Sequence, residues 1–255
     1  WQPERPTRLL LIANRDEYHT RPSTPLHWWP DADILAGRDE QAGGSWLGIS
    51  RSGRLAALTN YRSPTQPRSE APSRGELVSA FLQGDISAPD YLSQLADRAN
   101  HYNPFNLLVF DGSNLFGLES RRANIITLAP GTGAVSNADF ATPWPKLTRL
   151  QSGLHSLLQH DDASDAKLLE LLHNSEPAAD ADLPATGITL QLERLLSATF
   201  IRSPAYGTRA CSIVRLEQRR VSFLEQSFSA HGDTGTRRIE TELSSSSNIY
   251  NGNAA

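Results

Sequence analysis

Four short clusters in this 255-residue chain hold side chains that could do chemistry together. They are Asn14-Arg15-Asp16-Glu17, Thr59-Asn60-Tyr61-Arg62, Ser136-Asn137-Ala138-Asp139 and Tyr206-Gly207-Thr208-Arg209, each at one end of an apolar run. The amides of Asn60 and Asn137 can donate to a developing oxyanion. Arg15 and Arg209 can grip a carboxylate in a planar fork. Asp16 can orient an amine or accept a proton. Strand ends meeting on one rim would gather all of these, with Asn14, Glu17 and Arg62 beside them as binding groups. The competing explanation is plain: Asn and Asp favour the turns that end strands.

Other candidates are weaker. The seven His are scattered without an H-x-x-x-H or a Cys-His pair at metal spacing, so no metal site is expected. Cys211, in "TRACSIV", fits a small buried apolar residue better than a nucleophile. There is no G-x-S-x-G, and "APGTGAVSN" lacks the Lys-Ser/Thr ending of a phosphate loop. Trp28-Trp29 and Trp144, the latter between two prolines, are candidate pocket walls, although core or rim packing is the commoner use of such rings. Arg38-Asp39-Glu40 repeats Arg15-Asp16-Glu17, and one copy reads as a surface ion-pair stretch.

The elements that must position these groups follow from hydrophobic period. Arg8–Ala13 is continuously apolar and reads as an inner strand covered on both faces. Ser45–Ser50 and Leu55–Tyr61 flank "RSG" as a hairpin. A Pro-rich loop over Ser63–Ser73 leads to a helix at Arg74–Leu82, with Ser73 and Glu76 spaced as a capping box. A second helix follows in "SAPDYLSQLADRAN". Phe105–Phe110, Leu115–Glu119, Ile125–Leu128 and Ala134–Ser136 read as an antiparallel meander. Helices are expected at Pro143–His160, Ala166–His173 and Ile188–Leu196, then strands at Thr208–Leu216, Val221–Gln226 and Arg237–Glu242. Blocks of strands and helices in this order predict an α+β fold: a four-layer αββα sandwich of two mostly antiparallel sheets with helices outside.

Composition narrows the function classes. A net charge of −4 argues against a nucleic-acid groove, and no apolar stretch reaches the ~20 residues of a membrane span. One cysteine cannot form an intrachain disulfide, which points to a reducing, cytoplasmic setting. The reading is of one domain over residues 1–243 and a flexible polar tail over 244–255. Because the chain opens on Trp1 and contains no Met, residues ahead of Trp1 are expected.

The segments "ANRDEYHTRP", "ILAGRDEQAGGSWLGIS", "RLAALTNYR", "YNPFNLLV", "VSNADFATPWPKL" and "IRSPAYGTRACS" resemble the NRDE family, that of transport and Golgi organisation protein 2 and its bacterial relatives. That family is similar to N-terminal-nucleophile hydrolases of the bile-salt hydrolase and penicillin V acylase type. The resemblance implies a Met-Cys start, a Cys nucleophile whose own α-amine is the base, and supporting roles for Arg15, Asp16, Asn60, Asn137 and Arg209. It departs from the hydrolases in one place: they read Arg-Asn-x-Asp, whereas Arg15 and Asp16 are adjacent. It implies an amidohydrolase acting on a small-molecule amide without a required cofactor, or a non-catalytic carrier for haem or an acyl-chain ligand such as acyl-CoA.

Overall fold

The computed structural model describes residues 1–244, so the tail expected over 244–255 lies, apart from Ser244, outside the described residues. The chain forms two antiparallel sheets. One holds β1 (Thr7–Tyr18), β9 (Tyr206–Glu217), β10 (Arg220–Ser229) and β11 (Gly232–Glu242), in that order. The other is a seven-stranded meander: β2 (Ser23–Trp28), β3 (Ile34–Asp39), β4 (Leu47–Ser50), β5 (Leu55–Asn60), β6 (Phe105–Phe110), β7 (Leu115–Glu119) and β8 (Asn124–Thr127).

Alternation of apolar side chains builds the layers. On β9, Val214 and Leu216 face the second sheet, where Leu35, Ile49, Leu55 and Phe110 receive them. Cys211 and Ile213 point the other way, onto α3 (Pro145–Gln159) and α4 (Asp165–Leu172), through Leu154, Leu168 and Leu172. The outer face of the meander packs Ala56, Phe105, Leu107 and Val109 against Leu77, Phe81, Leu92 and Leu95 of α1 (Gly75–Gln83) and α2 (Ala88–Ala96). Sheets that are apolar on both faces need a cover on each side. The expected four-layer αββα sandwich is therefore the observed fold.

Several local expectations are corrected. β1 is covered on both faces as expected, lies outermost in its sheet among the described residues, and runs on through Asn14-Arg15-Asp16-Glu17 to Tyr18. β2 and β3 were not anticipated, since Pro25 and Gly37 mask their period. Val135 and its neighbours form no strand. The Ser73–Glu76 capping box does not form: Ser73 Oγ accepts from Gly75 N at 3.3 Å, while Glu76 accepts the Tyr102 hydroxyl at 2.6 Å. Side-chain caps do start α2 at Ser87, α4 at Ser164 and α5 (Leu190–Leu196) at Thr189.

Candidate functional site

The parity of β1 sends its charged end in two directions. Leu9, Leu11 and Ala13 face the second sheet, and Arg15 follows them. Leu10 and Ile12 face the helices, and Asn14 follows these, its amide donating to the carbonyls of Leu172 and Thr199 at 2.8 and 2.9 Å. The ladder then slips. Arg15 pairs with Ala210 but Asp16 pairs with Thr208, which leaves Arg209 in a bulge.

Beyond that bulge a cleft of about 720 Å³ opens between the sheets and the start of α3. Asp16 lines it and accepts from Thr208 Oγ1 at 2.7 Å. Burial pushes the Asp16 carboxyl above its ordinary range, and Lys146, Thr208, Arg15 and Arg62 pull it back only in part. Lys146 lies in the first turn of α3 and reaches Asn137 Oδ1 at 3.3 Å. Its ammonium is pushed down to about 8, chiefly by burial, against the pull of Asp16. Asn137 Nδ2 donates to the Asn60 carbonyl at 2.9 Å, and the Arg62 backbone N–H donates to the Asn137 carbonyl at 2.7 Å. The two Asn-bearing segments are thus tied together. The Asn60 side-chain amide has no hydrogen-bond partner among the described residues and borders the cleft.

The cationic walls are built deliberately. Arg15 is 8% exposed and stacks over the Trp46 ring at 4.4 Å, with Nη1 buried and lacking a hydrogen-bond partner among the described residues. Trp46 can lie there because Gly37 has no side chain: a Cβ would stand 2.4 Å from the ring. Arg62 is held from three sides. It bonds Glu193 at 2.6 Å and the Leu196 carbonyl at 3.2 Å, and stacks on Trp144 at 4.5 Å. At the mouth, Arg21 binds Asp39 at 2.6 Å.

The structure therefore brings Arg15, Asp16, Asn60, Asn137, Asn14, Glu17 and Arg62 to one cleft. It does not bring Arg209 or Trp28 there. Arg209 turns away and binds the carbonyls of Tyr18, His19, Arg21 and Phe228, a clamp on the chain that follows β1. Trp28 packs beside the inter-sheet core under Arg51. Trp144 is not among the cleft-lining residues either; its ring lies against Arg62. Of the Arg-Asp-Glu repeat, Asp39 joins the cleft mouth, while Arg38 pairs outside with Asp31. Cys211 is wholly buried, and burial pushes its thiol up, so it is inert. Sequence reasoning missed Lys146 and Trp46. The available signal for Lys146 was scarcity: lysine occurs only at 146 and 167. Among the described residues there is no cluster of His, Cys, Asp and Glu able to hold a metal, and no helix long and apolar enough to cross a membrane.

The fold, two stacked antiparallel sheets with helices outside, also occurs among solved structures. A variant of the conjugated bile acid hydrolase from Clostridium perfringens shares this fold, with a TM-score of 0.50 over 91% of this chain and 88% of that one, at 9% identity. Sequence supplies the family. The profile described as Transport and Golgi organisation 2 matches residues 1–230. The mouse Transport and Golgi organization 2 homolog is 36% identical over 92% of this chain and 90% of its own length. The human homolog is 38% identical over 86% of each. The chain belongs to the Transport and Golgi organisation 2 family.

Proposed function

We propose that this protein is a cysteine amidohydrolase of the N-terminal-nucleophile type that cuts a non-peptide amide C–N bond. The observation that carries this reading is the meeting of Arg15, Asp16, Asn60 and Asn137 on one cleft at the end of β1. The chain already turns back ahead of β1, with Gln2 N donating to the Arg8 carbonyl at 2.7 Å. A strand running antiparallel to β1 from that turn would bring its own start beside Asn14–Asp16. A Cys there, as the family resemblance implies, would present both a thiol and an α-amine to the cleft.

The chemistry follows from the groups. An α-amine titrates near pH 8 and can take the thiol proton without a histidine. Asn60 has its amide free for the oxyanion, and Asn137 keeps one N–H beyond its bond to Asn60. Asp16 would hold the ammonium that forms. Arg209 would shape the Tyr18–Arg21 segment without touching substrate. The cytoplasm is the compartment we propose, because Cys211 is unpaired and a Cys nucleophile must stay reduced.

A carrier for haem or an acyl-chain ligand is the second reading. It is favoured by the apolar share of the cleft wall, from Leu58, Leu147, Leu150, Leu172 and Ile201. Intact-mass analysis of native full-length protein separates the two. A Cys freed as the first residue, with turnover of N-acyl amides, supports the hydrolase. A retained Met leaves the Cys nitrogen as an amide that cannot act as a base, and would favour the carrier.

A further inference from the structure

Lysine stands at two of 255 positions in a chain with 24 basic residues. Lys167 is exposed and pairs with Asp162. Lys146 occupies a place where local physics opposes a cation. It is largely buried, it sits at the positive end of the α3 dipole, and Arg62 repels it from the segment after β5. Asp16, on β1, is the charge that favours it; Glu193 of α5 is already engaged by Arg62. Methionine would fill the space, and arginine would hold the charge more firmly. What lysine adds to either is a proton it can release. Its bond to Asn137 Oδ1 occupies one of three donors and leaves the others free to face the cleft.

We propose that Lys146 is a catalytic acid–base of this cleft, giving its proton to the nitrogen that departs when the amide bond is cut. The proposal rests on the amidohydrolase reading. As sulfur bonds to the carbonyl carbon, the α-amine takes the thiol proton. As the C–N bond breaks, the Lys146 ammonium protonates the leaving nitrogen, which departs as an amine. Water then attacks the thioester, Lys146 takes a water proton, and the α-ammonium returns its own to sulfur. The sum is amide plus water to carboxylic acid plus amine. Asp16 steadies the ammonium, and the same bond to Asn137 Oδ1 leaves the Asn137 Nδ2 side as the donor face. The lowered affinity of Lys146 for its proton, to about 8, suits exchange near neutrality.

Two measurements on full-length protein test this. Competitive labelling with acetic anhydride from about pH 6 to about 11, read by peptide mass spectrometry, should give Lys146 a midpoint near 8, with the exposed Lys167 as the reference for general changes. Turnover of N-dodecanoylglycine, N-dodecanoylethanolamine and phenylacetamide is then compared for wild type, Lys146→Arg and Lys146→Met. Both variants should lose about 10²–10⁴-fold in kcat, and the residual rate should lose the alkaline limb centred near pH 8. A Lys146 midpoint above about 10, or a Lys146→Arg enzyme with wild-type rate and pH profile, overturns the proposal and leaves the amidohydrolase reading standing. Wild-type protein that labels as expected yet cleaves none of the amides overturns that reading, and the acid–base role with it.

Discussion

Lys146 Nζ lies 3.3 Å from Asn137 Oδ1, joining the first turn of α3 to the segment that follows β8. The two are nine residues apart and share no regular backbone pairing. The bond fixes which face of the Asn137 amide donates, and it places an amine opposite Asp16 on β1. Stability and the charge state of the cleft are coupled through that arrangement.

The cost of Lys146 should depend on pH. In the unfolded chain it keeps its proton to about 10.5, whereas in the folded chain it releases it near 8. Between these values the unfolded state binds more protons, so this residue makes stability rise with pH across that window. Below about pH 8 the folded protein bears the whole cost. Lys146→Met should therefore be more stable than wild type at pH 7, by about 1–3 kcal/mol after allowance for solvent screening. The difference should shrink toward pH 10.5. Urea denaturation of both proteins at several pH values measures it.

Asp16→Asn keeps shape and removes a charge that burial disfavours. Turnover should fall by about 10²–10³-fold if Asp16 stabilises charge in the cleft. Stability at neutral pH should not fall, because the raised carboxyl makes ionised Asp16 a cost that grows as pH rises above its ordinary value, and Asn still accepts from Thr208. Paired kinetic and thermal-melt measurements test both halves. A large drop in melting temperature would mean that the ionised carboxylate is structural.

The Arg62–Glu193 pair is buried, with side chains 6% and 5% exposed. Glu193 also accepts from Thr186 N and Oγ1, at 2.9 and 2.6 Å. Removing only Glu193, as Glu193→Leu, leaves a buried guanidinium and should cost about 3–5 kcal/mol. Replacing both, as Arg62→Met with Glu193→Leu, should cost less than the two single changes added. A double-mutant cycle in urea gives the coupling.

Gly37→Ala should act at a distance. The new methyl would meet the Trp46 ring at 2.4 Å, so the ring must shift and Arg15, stacked on it, must follow. Overpacking of this kind costs about 1–3 kcal/mol. Substrate turnover should fall although Gly37 itself is not among the cleft-lining residues. An unchanged melting temperature, tryptophan fluorescence and turnover would show that the Trp46 platform tolerates movement.

Much of the architecture is written in the chain. The order of strand and helix blocks, with strands apolar on both faces at Leu9–Ile12 and Cys211–Leu216, requires two stacked sheets and a helical cover on each. The clustering of Asn, Asp and Arg beside these runs marked Arg15, Asp16, Asn60 and Asn137, and all four line the cleft. What local sequence could not contain was register. A bulge at Arg209 depends on the pairing of strands nearly two hundred residues apart, and it turns that arginine from the cleft to the carbonyls of Tyr18, His19 and Arg21. The same long-range packing brings Trp46 under Arg15 and puts Lys146 within electrostatic reach of Asp16, two relationships between side chains whose own neighbourhoods read as strand and helix. Periodicity decides which face of an element a residue occupies; only the tertiary structure decides which charge waits on the other side.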